Sequence, residues 1–230
     1  MASVLITGTN RGIGLEFVSR FLDQGHSVIA TCREPANAGK LRELGADASR
    51  LRVLQLDVSS ADSRAGFVNE LGDEAIDVFI NNAGIYGPRA AQFGKVTEAE
   101  WLQVFQVNTV APLLLTQELI ENFRRGENTR LVYVTSKMGS IADNQSGGSY
   151  VYRSSKTALN QVVKSLAADL ADDGLTAIVI HPGWVQTDMG GPNALIDTAT
   201  SVAGMMSVID GLSPADSGRF FNYDGAEIPW

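Results

Sequence analysis

Residues Ser3–Gly14 read SVLITGTNRGIG: a short apolar run, a loop with glycines at positions 8, 12 and 14, and the start of a helical pattern. A first β–α turn built this way lets backbone N–H groups approach a diphosphate and aims a helix N-terminus at it. The spacing Gly8, Gly12, Gly14 departs from the commonest GxGxxG fingerprint. No Gly-Lys-Ser/Thr follows it, which excludes a P-loop.

Outward from this stretch the chain alternates. Strand-like runs are read at Ser3–Thr7, Ser27–Thr31, Leu51–Asp57, Ile76–Ile80, Arg130–Thr135, Thr176–His181 and Arg219–Tyr223. Most are continuously apolar, as strands covered on both faces should be. Helical patterns fall between them, at Gly12–Gln24, Ala36–Leu44, Ala61–Leu71, Glu98–Phe123, Tyr152–Ala171 and Asp197–Ile209. Strict β–α alternation implies right-handed crossovers. The expected fold is α/β, a Rossmann-type doubly wound parallel sheet of about seven strands with helices on both faces. No linker or composition shift divides residues 1–230, so a single domain is expected.

Composition narrows the function classes. The chain has 230 residues, 44% hydrophobic and 19% charged, and a net charge of −8. That charge disfavours nucleic acid and anionic membranes as partners. The single cysteine, Cys32, rules out an internal disulfide, and with only His26 and His181 beside it a metal site is not expected. No apolar run approaches the roughly 20 residues of a membrane span. The strand-like start leaves no room for a signal peptide. A cytoplasmic protein is expected.

The end of the second strand bears on the cofactor. An acidic residue there would hold ribose hydroxyls and repel a 2′-phosphate. The chain instead has ATCREP, with Cys32 followed by Arg33, and Arg11 stands in the glycine loop. Two arginines favour NADP(H) over NAD(H) by charge and fork geometry. Cys32 is read as a small apolar space-filler. Asp57 and Val58 close the third strand, where an adenine ring would lie, and NNAG (Asn81–Gly84) follows the fourth.

Taken in order, TGxxxGIG at Thr7–Gly14, Asp57-Val58, NNAG, Asn108, Ser136, YxxxK at Tyr152–Lys156 and PGWVQT at Pro182–Thr187 resemble the short-chain dehydrogenase/reductase family. YRSSKTALN, HPGWVQTDMGGPNA and the final FNYDGAEIPW are similar to its carbonyl-reductase-like branch, which includes sniffer-type reductases and C-factor-like proteins. The resemblance implies a cofactor site made by Gly8, Asn10, Arg11, Gly12, Ile13, Gly14, Arg33, Asp57, Val58, Asn82, Ala83, Gly84, Tyr152, Lys156, Pro182, Gly183, Val185 and Thr187. It implies that Lys156 also binds the nicotinamide ribose and that Asn108 supports a water in a proton relay. The Val185 backbone and Thr187 side chain would fix the nicotinamide amide.

Carbonyl reduction needs a hydride for carbon and a proton for oxygen. A tyrosine with its ordinary pKa near 10 is helped by a nearby ammonium. SYVYRSSK (Ser149–Lys156) offers two tyrosines. On a helix Tyr150 and Tyr152 point about 200° apart, and Lys156, four residues on, shares a face with Tyr152 only. Tyr152 is therefore read as the general acid/base, Lys156 as the group lowering its pKa, and Tyr150 as a pocket or packing residue. Ser136 is expected to orient the carbonyl. A Ser136–Lys137 nucleophile dyad is disfavoured because no nucleophile elbow surrounds it. His181 is assigned to packing.

Ala142–Ser149 lengthens the interval between Ser136 and Tyr152 beyond the family's usual one and is expected to loop out. The short DMGGPNALI after Thr187 suggests an open pocket for apolar or aromatic ketones and aldehydes, walled by Tyr86, Met138, Trp184 and Met189. The leading expectation is an NADPH-dependent carbonyl reductase; the rival is a C-factor-like signalling or NAD(P)-binding protein with little turnover. A homodimer or homotetramer through the helices carrying Asn108 and Tyr152 is the family's habit.

Overall fold

The computed structural model describes residues 1–45, 49–89 and 92–230. Strands β1 (Ser3–Thr7), β2 (Ser27–Cys32), β3 (Leu51–Gln55), β4 (Val78–Asn81), β5 (Arg130–Val134), β6 (Thr176–His181) and β7 (Phe220–Asn222) form one sheet of order β3-β2-β1-β4-β5-β6-β7. Every neighbouring pair is parallel. The order reverses between β1 and β4, and a crevice opens there at the carboxyl ends of the strands. This is the expected Rossmann-type α/β fold.

Alternation along each strand divides the core. Leu5, Phe79, Leu131 and Tyr133 pack on one face of the sheet, while Val4, Ile6, Val132 and Val134 pack on the other. Helices α3 (Ala61–Leu71), α5 (Ala111–Glu118), α6 (Ile120–Arg124) and α7 (Tyr150–Asp169) cover the first face through Phe67, Leu115, Phe123 and Leu159. Helices α1 (Gly12–Asp23) and α8 (Thr198–Asp210) cover the second through Phe17, Phe21, Met205 and Ile209. Both faces are dry, which explains the continuously apolar strands. Among the described residues no helix is long and apolar enough to cross a membrane.

Two departures from the expected elements matter for the site. The helix read over Glu98–Phe123 is broken: α4 (Glu98–Phe105) passes through a π-helical turn at Gln106–Val110 before α5 begins. Asn108 sits in that turn, and Pro112, four residues on, has no N–H for the Asn108 carbonyl. Helix α7 starts at Tyr150 rather than Tyr152, after Gly147, Gly148 and Ser149, all with positive φ. The polar composition of the insert had concealed this turn. The remaining boundaries differ by one or two residues, apart from a short 3-10 turn at Pro35–Asn37 that precedes α2 (Gly39–Leu44).

Candidate active site

The glycine loop is shaped by steric need. Gly8 has φ +70°, and a side chain on Gly14 would overlap the Gly8 carbonyl. The Asn82 amide donates to the carbonyls of Thr7 and Gly8 at 2.9 and 3.0 Å, and the Thr7 hydroxyl accepts from the Asn82 and Ala83 N–H groups. NNAG thus braces the loop from the neighbouring strand. Helices α3, α4 and α8 begin with side-chain caps from Ser60, Thr97 and Asp197. Helix α1 has none, and its first turn carries no acidic residue. Its N-terminal amides face the crevice with their positive end, as a diphosphate requires.

The crevice encloses about 790 Å³. Gly8, Asn10, Arg11, Gly12, Ile13, Gly14, Arg33, Asp57, Val58, Asn82, Ala83, Gly84, Tyr152, Lys156, Pro182 and Thr187 all line it. Gly183 and Val185 are not on its wall: Gly183, at φ +85°, packs against Ile196 and Tyr223, and the Val185 side chain is buried. The Asp57 carboxylate accepts from the Ser59 N–H and hydroxyl. The buried Cys32 thiol is pushed up by burial and keeps its proton, consistent with a space-filler.

Arg11 is paired with an acidic residue. Its guanidinium reaches across the crevice to Asp188, 3.0 Å away, because the β6 loop passes over the glycine loop. Arg89 donates to the Asp188 and Met189 carbonyls from a third direction. A second basic residue, Lys40 on α2, lines the same crevice as Arg33. Lys40, Gln106, Gln186 and Asp188 line the crevice and were not read from the sequence. No motif flags Lys40; only the return of α2 over β2 brings it in. Asp188 adjoined the motif ending at Thr187.

At the opposite end β5 delivers Ser136, and α7 delivers Tyr152 and Lys156. All three are buried. Lys156 Nζ donates to the Val134 carbonyl at 3.0 Å and lies 6.0 Å from the centroid of the Tyr152 ring. The expected lowering of the phenol pKa by Lys156 does not set the net shift, which is upward. Burial pushes Tyr152 up to about 12, Ser136 hydrogen bonding opposes that rise, and Tyr86 adds to it. Burial lowers Lys156 to about 8. Desolvation outweighs a charge held at that distance.

Asn108 is fully buried. Its amide grips Ile85 twice, accepting from the N–H at 2.9 Å and donating to the carbonyl at 2.8 Å, and donates to the Ser155 hydroxyl at 3.0 Å. Both donors are committed, so only one lone pair and the backbone carbonyl remain for a relay. Lys137 pairs with Asp143 at 3.2 Å, away from the role a Ser–Lys dyad would need. Burial holds His181 down at about 4, and Nδ1 has no hydrogen-bond partner among the described residues, so it stays neutral near pH 7.

The Ala142–Ser149 insert loops out, with the Ala142 N–H donating to the Trp230 carbonyl and Arg153 donating to Ser146. Tyr150 is 42% exposed and packs on Phe93, whereas Tyr152 is 7% exposed. Of the expected wall residues, Met189 lines the crevice; Trp184 is half-exposed, its ring N–H bonded to the Gly190 carbonyl. Tyr86 stacks on Tyr152 with centroids 4.5 Å apart. Met138 is bound by its backbone to Ser136 and Arg153.

Residues 2–195 match the family model described as short chain dehydrogenase. The chain is 49% identical over 155 residues to C-signal of Myxococcus xanthus, covering 67% of this chain and 93% of the relative. Among solved structures, the carbonyl reductase Sniffer of D. melanogaster superposes with a TM-score of 0.94 at 34% identity, with both chains fully covered. An NADPH-bound carbonyl reductase from chicken fatty liver gives 0.92 at 34% identity, covering all of this chain and 94% of the other.

Proposed function

The chain belongs to the short-chain dehydrogenase family, and on that premise we propose that it is an NADP(H)-dependent reductase converting ketones or aldehydes to alcohols. The observation that carries this reading is one crevice lined by buried Tyr152 and Lys156, with Ser136 hydrogen bonding to Tyr152, and by the basic residues Arg33 and Lys40. The uncapped α1 N-terminus and the glycine loop fit a diphosphate between them. The two cations fit a 2′-phosphate, in keeping with the NADPH-bound relative.

NADPH, when bound, supplies the hydride that reaches the carbonyl carbon. The Ser136 hydroxyl holds the carbonyl oxygen, and the Tyr152 phenol donates its proton to that oxygen as negative charge develops there. A phenol kept protonated throughout the neutral range is loaded for reduction, and the mostly charged Lys156 stabilises the phenolate left behind. Asn108 fixes the Ile85 segment against α7, with its carbonyl left as a proton-relay acceptor. Val185 and Thr187 would hold the nicotinamide amide from the β6 loop.

Trp184 and Met189 beside the crevice favour apolar or aromatic carbonyls. Trp101, Leu102 and Val110, partly or largely exposed on α4 and the adjoining turn, favour self-association through that face. The deciding experiment mixes purified protein with NADPH and a panel of aldehydes and ketones while nicotinamide absorbance is followed. Substrate-dependent oxidation is expected. Tight NADPH binding with no oxidation by any carbonyl would favour the second reading, a signalling or NAD(P)-binding protein, for which the similarity to C-signal speaks.

A further inference from the structure

We infer that Tyr86 is a positioning residue for the proton donor, holding the Tyr152 ring by its face and tethering the entry of the helix that carries it. The ring centroids are 4.5 Å apart with planes 28° from parallel, a close face-on stack. The Tyr86 hydroxyl meets the Ser149 hydroxyl at 3.0 Å. Ser149 is the residue immediately before α7 and holds φ 45°, a left-handed conformation that costs a side-chain-bearing residue energy. It ends a run of left-handed residues from Gly147, so the chain enters α7 around a sharp corner. No side-chain cap secures that helix start. One side chain therefore touches both the reacting ring and the strained corner that ends three residues before it.

The origin of Tyr86 makes the contact informative. It follows directly after Ile85, which is clamped by both hydrogen-bonding edges of the Asn108 amide. Asn108 in turn bonds Ser155 on α7. The NNAG loop, the π-helical turn and α7 thus lock Tyr86 in place before it can lock Tyr152. The groups facing the Tyr152 phenol are Lys156 from its own helix, Ser136 from the β5 loop and Tyr86 from the β4 loop. Tyr86 is the one that contacts the ring broadside.

The inference rests on the carbonyl-reductase reading for its kinetic consequence but not for its physical content, and the test separates them. Tyr86→Phe keeps the stack, and Tyr86→Leu removes it. Turnover in Tyr86→Phe is expected within about threefold of the parent, and kcat in Tyr86→Leu about 10–100-fold lower, with KM and NADPH affinity nearly unchanged. Equal kcat in parent and Tyr86→Leu would overturn the inference, as would a loss confined to KM, the mark of a mere pocket wall. An equal loss in both variants would also overturn the stacking role, because the hydroxyl alone would then carry the effect.

Carbon-13 labelling at tyrosine Cζ supplies a readout that needs no substrate. The Tyr152 resonance, assigned by its loss in Tyr152→Phe, is expected to move in Tyr86→Leu, where the stacked ring is gone, and to stay near its parent position in Tyr86→Phe. An unchanged resonance in Tyr86→Leu would overturn the contact. If the parent reduces no carbonyl, the functional reading fails while the resonance still judges Tyr86.

Discussion

Lys156 Nζ donates its hydrogen bond to the Val134 carbonyl, 3.0 Å away, and stands 6.0 Å from the centroid of the Tyr152 ring. The lysine is therefore anchored to the sheet rather than to the phenol. It spans the gap between β5 and α7, and its ammonium is carried to the floor of the crevice with little water around it. An anchored, desolvated cation beside a desolvated phenol is poised to gain most when the phenol gives up its proton.

Tyr152→Phe is expected to lower kcat about 10²–10⁴-fold while NADPH remains bound, because only the transferable proton is removed. Tyr150→Phe should leave turnover near the parent value. Steady-state rates with one good aldehyde, paired with NADPH fluorescence titration, check both. Near-normal turnover in Tyr152→Phe would refute the proton-donor assignment.

Lys156→Met is expected to raise thermal stability at pH 7 by a few degrees while abolishing activity. The sign follows from linkage. A lysine depressed to about 8 in the folded state bears its full burial penalty below that pH, and the penalty disappears above its ordinary 10.5. The Tm advantage should therefore shrink as pH rises from 8 towards 10.5. Calorimetry across that window measures it, and a lower Tm at pH 7 would contradict it.

Reduction rate is expected to decline as pH rises past about 8, where Lys156 loses its charge, although Tyr152 stays protonated to about 12. Alcohol oxidation, which needs the phenolate, should instead climb with pH. Opposed pH profiles of the two directions at saturating cofactor check this. A reduction profile that stays flat to pH 10 would place the control elsewhere.

Arg33→Ala and Lys40→Ala are each expected to weaken NADPH binding about tenfold to a hundredfold, the cost of one charged phosphate contact, with NADH affinity unchanged. Arg11→Ala should weaken both cofactors to the same extent, because Arg11 is directed to Asp188 rather than to Arg33. Titrations with both nucleotides separate the two patterns. A loss of NADPH affinity alone in Arg11→Ala would return that residue to the 2′-phosphate.

Gly14→Ala is expected to abolish measurable cofactor binding, since the new methyl group would meet both the Gly8 carbonyl and the Asn82 amide that braces the loop. Gly39→Ala, at a position with open space, serves as the control. Isothermal titration with NADPH distinguishes the two. Retained affinity in Gly14→Ala would show that the loop can reshape.

Much of this protein could be read locally. Continuous apolar strands joined by helical periods specify a parallel sheet covered on both sides, because period and polarity are properties of a few neighbouring residues. Gly8 and Gly14 announced a close backbone approach, and the four-residue spacing from Tyr152 to Lys156 selected the buried tyrosine over exposed Tyr150. What the sequence could not supply was the partner of each charge. Arg11 went to Asp188, Lys156 bonded Val134, and Tyr86 stacked on Tyr152, all across separations that no local pattern spans. The direction of the Tyr152 shift depended on the same thing: spacing shows that an ammonium is near, but only the packed fold shows that desolvation outweighs it. Chain periodicity determined the architecture, and motif order with the family resemblance supplied the candidate site residues; tertiary packing decided their partners and protonation, because burial and through-space distance exist only once the chain is folded.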